Sequence, residues 1–384
     1  MLKYHDFEEI RPYHSSEFAA AWERIRSNEH FHAALSFLFN TEDKSKLEGD
    51  FCNIKSTQDF QLKIMHRAIR NILAKSSNGL SHQGFEFLHP NQPCTFIANH
   101  RDIFLDSGIL QILLVENGFD TSEITFGSNL MLNQFLVDIG KVNKMFTVHR
   151  SGNRRELYEN SMRLSNYMRH AILDKKQSTW IAQRNGRTKN GCDETQVALL
   201  KMLFASKSEN FVQSFQELNL VPVCISYELE PCDAFKVQEI YNSQQSAYVK
   251  EPGEDLRSII AGVVEPKGKI HLEIRKPVQE VLHTIAQSED PFKALCVYLD
   301  QEIHAAYQLF PSNYLAFDLL HCSDNFSQHY TDHDKAFFVD YMERKLDYLK
   351  GNAGELKKIF LSIYANPVIN ARKQASSAIK RTVS

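Results

Sequence analysis

Short apolar runs, each followed by an amphipathic stretch, repeat between residues 94 and 275, and this alternation constrains the fold more than any other feature. The intervening stretches have the 3.6-residue period of helices, most clearly over 154–175. Strands that alternate with helices predict an α/β fold, a layered and mostly parallel sheet with flanking helices. The predicted strands cover residues 94–98, 124–127, 145–148, 179–182, 221–226 and 271–275.

The chain outside this stretch has a different pattern, with apolar side chains at helical spacing. We therefore expect three parts: a helical N-terminal region over 1–90, the α/β core over 91–280, and a helical C-terminal region over 281–384 that ends in a basic tail. Within the C-terminal region, the main helices are predicted over 291–309 and 334–364.

Composition narrows the class of protein. The seven cysteines are scattered and form no Cys-x-x-Cys pair, which argues against a disulfide framework and a zinc finger. The loose group His321, Cys322, His329 and His333 matches no common metal-site spacing, so we expect no metal. The N-terminus lacks a signal peptide's apolar run, and no apolar run is long enough to span a bilayer. We expect a cytoplasmic protein, with peripheral contact to the inner face of the cytoplasmic membrane left open.

Positive charge is concentrated in one stretch. Residues 141–190 hold twelve Lys and Arg against three Asp and Glu, a local net charge of +9 in a chain whose net charge is −3. Such a field indicates an anionic substrate, cofactor or surface, including an anionic membrane. The alternative is a solvated basic face. Nucleic-acid binding is not expected, because few aromatic residues are interleaved with the basic ones.

His100 directly follows the first predicted strand, after Asn99. Catalytic groups in α/β folds gather where strands end, because a rigid sheet holds the loops there. Asp102 lies two residues beyond His100 and Asp106 lies six residues beyond it. Either carboxylate could orient the imidazole as a general base near neutral pH. Alone, this arrangement is also typical of a structural hydrogen-bonding pair.

Two further strand ends deliver groups suited to an anion. The third predicted strand is followed by Arg150, and the fourth leads into a loop that contains Gly186 and Arg187. Arginine matches phosphate oxygens with a bidentate fork, and glycine lets backbone N–H groups approach an anion closely. We expect Arg150 and Arg187 to bind a phosphate group, with Gly186 allowing the close turn.

These blocks, in this order, resemble those of the glycerolipid acyltransferases, the phospholipid-synthesis enzymes that include the 1-acylglycerol-3-phosphate acyltransferases. The family has a strand followed by Asn-His and an Asp, then an apolar strand ending in Arg, then a Phe-Pro-Glu-Gly-Thr-Arg-like loop, then a Val-Pro strand. The corresponding segments here are 99–106, 145–150, 180–189 and 220–225. The resemblance covers about residues 90–280 and leaves out the helical flanks.

The resemblance implies an acyltransferase that moves a fatty acyl group from a thioester to a hydroxyl, with His100 as general base. The donor would be acyl-CoA or acyl carrier protein as co-substrate, without another cofactor, and the acceptor a phosphate-bearing lipid of the glycerol-phosphate or lysophospholipid type. The implied catalytic residues are His100, with Asp106 or Asp102, and the implied substrate-binding residues are Asn99, Arg150, Asn185, Gly186 and Arg187.

Two positions depart from the family pattern. Asp106 lies six residues after His100 where the family has five, and Asn185 occupies the place of the loop's Glu. These departures keep a second hypothesis open, a non-catalytic lipid- or phosphate-binding protein on the same scaffold. Thioesterase-like hydrolysis is a third.

Overall fold

A computed structural model describes residues 7–40, 49–51, 53–149, 152–207, 210–246, 250–251 and 253–382. Within these residues, seven strands form one sheet: β1 (Leu80–Gln83), β2 (Thr95–Ala98), β3 (Glu123–Gly127), β4 (Met145–Val148), β5 (Thr179–Ala182), β6 (Leu220–Tyr227) and β7 (Ile270–Ile274). The order across the sheet is β1-β7-β6-β2-β5-β3-β4. Strands β2 to β6 are parallel, β7 is antiparallel to β6, and β1 is parallel to β7. The predicted α/β fold with a mostly parallel sheet is confirmed.

All six predicted strands are present, and their ends differ from the prediction by no more than one residue. The strand that the sequence did not predict is β1, which lies within the region expected to be helical. Its residues are Leu-Ser-His-Gln, and most are exposed. As an edge strand it buries little apolar surface, so it lacks the apolar pattern by which the other strands were recognised.

The helices surround this sheet. They are α1 (Ser15–Arg26), α2 (Glu29–Leu38), α3 (Thr57–Phe60), α4 (His66–Ser76), α5 (Leu105–Glu116), α6 (Gln134–Val142), α7 (Arg154–Arg169), α8 (Val197–Phe204), α9 (Phe211–Leu218), α10 (Asp233–Gln245), α11 (Glu254–Val264), α12 (Leu282–Ala286), α13 (Pro291–Ala305), α14 (Pro311–His321), α15 (Asp332–Leu346) and α16 (Ala353–Thr382). A π-helical turn, Gln61–Met65, joins α3 to α4. No described helix combines the length and apolarity needed to cross a bilayer.

Helices cover both faces of the sheet, because successive side chains of a strand point to opposite sides. Phe96 of β2 packs into a cluster with α4 and α5, whereas its neighbour Ile97 packs on the other face with α7, α8, α9 and α13. Strands covered on both faces are apolar on both faces, which explains why the short apolar runs identified them.

The C-terminal helices α14, α15 and α16 form a third apolar cluster together with α10. The sequence predicted a single helix over 334–364, but the structure has two, α15 and α16. Gly351 lies in the break, with a φ of +148°, and an added Cβ would come within 2.5 Å of the Tyr241 ring. This close approach requires glycine, and the helix prediction did not take it into account.

Candidate active site

The loop after β2 places His100 against Asp106, which lies in the first turn of α5. His100 Nδ1 donates to Asp106 Oδ2 at 2.8 Å. The same oxygen accepts from the backbone N–H groups of Arg101 at 2.5 Å and Asp102 at 2.9 Å, and Oδ1 accepts from the Tyr227 hydroxyl at 2.8 Å. With its carboxylate held on both oxygens, Asp106 fixes the ring and keeps the proton on Nδ1. No described residue hydrogen-bonds to the other ring nitrogen, Nε2.

Asp102 has a different role in the loop. Its Oδ1 accepts from the backbone N–H groups of Phe104 and Leu105 at 2.9 and 2.8 Å, so it caps the start of α5. Burial, together with the charge of Asp106, raises the pKa of Asp102. Of the two carboxylates predicted to orient His100, the structure therefore brings Asp106 to the imidazole and leaves Asp102 at the helix terminus.

Asn99 lies within the sheet rather than on the cavity surface. Its amide accepts from the backbone N–H of Ile225 at 2.8 Å and donates to that residue's carbonyl at 3.0 Å. It also donates to Asp193, and its side chain is fully buried. Because both donor hydrogens and the oxygen are engaged, the structure does not bring Asn99 to the cavity as the substrate-binding residue that the resemblance implied.

The loop after β5 holds several buried polar atoms to which the described residues offer no hydrogen-bond partner. Gly186 has a φ of +73°, and the backbone N–H of the exposed Asn185 donates to Gln196. Arg187 donates from Nη2 to Ser258 Oγ at 3.1 Å, while its Nη1 is buried. The buried atoms of this loop that lack a hydrogen-bond partner among the described residues are Gln183 Nε2, Arg184 Nε, Arg187 Nη1 and Thr188 Oγ1. A buried polar atom without a partner is costly, so such a group indicates where a ligand belongs.

His100 and this loop border one cavity of about 250 Å³. The lining divides by origin. Strands β3, β4 and β5 and the loops after β2 and β3 contribute apolar side chains: Ile103, Ile124, Phe126, Leu130, Met145 and Trp180. The loop after β5, α10, α11 and the segment before α11 contribute charged ones: Arg187, Lys189, Glu239, Lys250, Glu254 and Asp255. The Trp180 ring meets the His100 ring edge to face, with centroids 5.6 Å apart.

A second cavity, of about 540 Å³, adjoins the first between α10 and α11, and Arg187, Glu239 and Glu254 line both. Lys189 stands at the first of these cavities and pairs with Glu239. Burial, assisted by the charges of Arg187 and Lys250, lowers the pKa of Lys189 to about 8.

Arg101, which follows His100 directly, anchors the loop from behind. Its buried guanidinium pairs with Asp193 at 2.5 Å and Glu230 at 2.9 Å. Lys236 Nζ donates to the Arg101 carbonyl at 2.8 Å and to Glu230 at 2.5 Å. The two carboxylates raise the pKa of Arg101, although burial opposes them. The sequence pattern did not predict this cluster, and its one signal was a charged residue next to a strand end.

The C-terminal helices reach this cluster through Tyr364 of α16. Its hydroxyl accepts from the backbone N–H of Glu230 at 2.9 Å and donates to Asp233 Oδ2 at 2.8 Å. Tyr341 of α15 donates to the same Asp233 oxygen at 2.8 Å. The segment that supports the His100 loop is thus held from the far end of the chain.

Arg150, predicted to bind the acceptor phosphate, lies outside the described residues. The described residues contain no group of three or more His, Cys, Asp or Glu side chains arranged to hold a metal ion.

No family model matches this chain, and no curated protein matches it. Among solved structures, it is similar to the 1-acyl-sn-glycerophosphate (LPA) acyltransferase PlsC from Thermotoga maritima. The alignment has 12% identity and a TM-score of 0.37, and it covers 75% of this chain and 92% of that chain. A likeness this distant assigns no function and no substrate to this chain.

Proposed function

We propose that this protein transfers an acyl group from an acyl thioester to the hydroxyl of a phosphate-bearing lipid acceptor. The observation that carries the proposal is the His100–Asp106 pair at the edge of a cavity with one apolar and one charged side. A hydrogen-bonded imidazole with Nε2 unengaged by any described residue is the arrangement that a general base needs.

His100 acts on the acceptor hydroxyl. Its Nε2 takes the hydroxyl proton as the oxygen attacks the thioester carbonyl carbon. The carbon–sulfur bond then breaks, and the leaving thiolate receives the proton back from the imidazolium, so that the products are an ester and a free thiol. Asp106 holds the proton on Nδ1 and stabilises the transient imidazolium, as the acid of a serine-hydrolase triad does.

The two sides of the cavity match two parts of the reactants, the acyl chain of the donor and the phosphate of the acceptor. Apolar side chains from β3, β4 and β5 suit the acyl chain, because its transfer from water to an apolar lining is favourable. Arg187 suits the acceptor phosphate, since its buried Nη1 lacks a partner among the described residues and guanidinium groups bind phosphate in a fork. The neighbouring buried donors of the loop after β5 would complete that site.

The test is thiol release from acyl-CoA or acyl carrier protein, measured with and without a panel of glycerol-phosphate and lysophospholipid acceptors. Release that requires an acceptor supports transfer, and release without one would identify a hydrolase instead. The variant His100→Ala should lower the rate by about 10²–10⁴-fold with the fold intact. Wild-type rates in that variant would disprove the role of His100. Lipid binding without thioester turnover would identify a non-catalytic binding protein.

Arg187 gives a second, separable measurement. Arg187→Ala should raise the acceptor KM by about tenfold or more with a smaller effect on kcat, because a charge-assisted bond to the phosphate is lost. Ser258→Ala is the matched control, since it removes only the protein partner of Arg187. An unchanged acceptor KM in Arg187→Ala would remove this residue from the site.

A further inference from the structure

Helix α11 buries its small residues, whereas three of its five large aliphatic residues are exposed; the other two, Ile259 and Val263, are half-buried. Ser258, Ala261 and Gly262 are the buried positions of the helix. Leu256, Ile260 and Val264 are 49%, 54% and 51% exposed. These three residues follow one another at i, i+4 and i+8 and therefore form one stripe along the helix. We call Leu256, Ile260 and Val264 the α11 stripe.

The exposed side of a helix on a water-exposed surface normally carries polar residues, and on α11 it carries this aliphatic row instead. The close contact on the inner side accounts for the small residues there: a Cβ on Gly262 would lie 2.1 Å from Asp102 Oδ2. It does not account for three large aliphatic residues in a row on the outer side. A row of exposed aliphatic side chains on a single helix indicates a surface that is covered by something else.

The α11 stripe lies on the outer side of a helix whose inner side borders the candidate active site. The same helix supplies Glu254 and Asp255 to the cavity wall and Ser258 to Arg187. The segment before α6 is tied to this end of the helix by the bond from Asn129 to Asp255 at 3.0 Å, and three residues further on Leu132 is 65% exposed. Exposed apolar residues thus occur on two segments that border the cavity.

The size of the stripe favours a lipid surface over a protein partner. An eleven-residue helix is about 16 Å long, and one face of it covers on the order of 200 Å². A stable protein interface buries about 800 Å² on each partner. A few aliphatic side chains on a helix that lies in the plane of a bilayer interface are sufficient for reversible membrane association.

The charges around the stripe nearly cancel. Lys250 pairs with Asp255, and Arg257 pairs with Glu251 at 3.0 Å. Attraction to this face should therefore depend on apolar burial rather than on an anionic headgroup. The binding should accordingly be only weakly sensitive to salt.

We infer that α11 docks on the surface of a lipid bilayer through Leu256, Ile260 and Val264, which brings a helix that walls the cavity to the membrane. The inference rests on the proposed function, since a lipid acceptor is a component of that surface. The helix would lie in the interface and not cross the bilayer, because it has only eleven residues and its exposed apolar side chains form one stripe.

The experiment is co-sedimentation of the full chain with phosphatidylcholine vesicles, with and without added phosphatidylglycerol. The test variant carries Leu256→Ser, Ile260→Ser and Val264→Ser. The matched control carries Leu157→Ser, Leu173→Ser and Val297→Ser, three other exposed aliphatic residues, on elements that pack on the opposite face of the sheet. Because all six side chains are exposed, both variants should keep the wild-type unfolding midpoint.

The wild type and the control should bind neutral vesicles equally, and the α11 variant should bind about tenfold more weakly or worse, since each aliphatic side chain contributes to partitioning. Wild type that does not bind vesicles, or an α11 variant that binds as well as the control, would overturn the inference. So would conversion of a dimer to a monomer by the α11 substitutions, because the stripe would then contact a second copy.

Thiol release with a soluble, short-chain acceptor separates this result from the proposed function. If vesicle binding depends on the α11 stripe but no acceptor supports thiol release, the docking surface stands and the acyltransferase proposal fails. If the soluble acceptor supports thiol release but vesicle binding does not depend on the stripe, the acyltransferase proposal stands and the docking surface fails.

Discussion

At the scale of single residues, Lys189 is a charged group of the candidate site whose pKa lies well below the usual value for lysine. It stands on the cavity wall close to Arg187, and its pKa is lowered to about 8 by burial and by neighbouring cations. Below that pH the ammonium adds to the positive charge that faces an acceptor phosphate. Above it, the charge is lost while Arg187 keeps its own.

We predict that the acceptor KM rises about tenfold between pH 7 and pH 9, because one proton leaves Lys189 in this interval while the charge of the acceptor phosphate changes little. The measurement is the pH dependence of the acceptor KM, with kcat followed separately. In Lys189→Arg the rise should be absent, since arginine stays charged throughout. The same pH dependence in both proteins would assign it to another group.

The catalytic half of the candidate site was predictable from the sequence because its members are close along the chain. Asp106 is six residues from His100, and the turn of the loop and the first turn of a helix suffice to bring them together. The choice between Asp106 and Asp102 was not predictable, since it depends on which carboxylate caps α5. The partners of Arg101 could not be predicted from the sequence either, because Asp193 and Glu230 are 92 and 129 positions away along the chain.

At the scale of secondary-structure elements, α11 packs closely against the His100 loop. Gly262 lies against Asp102, the residue that caps α5. The helix that carries the α11 stripe is therefore packed directly onto the loop that carries His100. A displacement of α11 would be transmitted to the start of α5.

We predict that Gly262→Ala lowers the free energy of unfolding by about 1–3 kcal/mol, because a Cβ has no room beside a buried carboxylate. Thiol release should fall as well. Gly140→Ala is the control: its nearest neighbour would be Met145 Sδ at 3.6 Å, an ordinary contact, in the middle of α6. Urea unfolding measures the stability of both variants, and equal midpoints would contradict the prediction.

The strands show why some elements are predictable and others are not. β2, β5 and β6 are buried on both faces and appear in the sequence as short apolar runs. β1 is exposed, and it adds to the sheet by pairing with β7 at the edge. The reversed direction of β7 also could not be predicted, because an apolar run contains no information about strand polarity.

At the scale of the whole molecule, part of the concentrated positive charge of residues 141–190 is paired with acids from distant segments. The paired members include Lys175 with Glu123, Arg163 with Glu9, Arg169 with Glu217 and Lys189 with Glu239. Charge counted along the chain therefore overstates the field that an external anion would meet.

The buried cluster around Arg101 connects the two halves of the chain, and its loss should be costly. We predict that Arg101→Ala lowers the free energy of unfolding by about 3–5 kcal/mol, because Asp193 would be left buried without a cation and Glu230 would keep only Lys236. Arg155→Ala is the control, since the Arg155–Glu159 pair is exposed and its loss should leave the unfolding midpoint unchanged. Similar midpoints in the two variants would show that the cluster contributes little.

The bond between Glu230 and Tyr364 has a consequence for the order in which the protein is made. The strand and loop that carry His100 leave the ribosome early, but the segment that supports Arg101 is not fixed until α16 has followed them and docked. A nascent chain that has completed its sheet would still lack a rigid His100 loop. The candidate enzyme would therefore begin to work only after α16 has been synthesised and has docked.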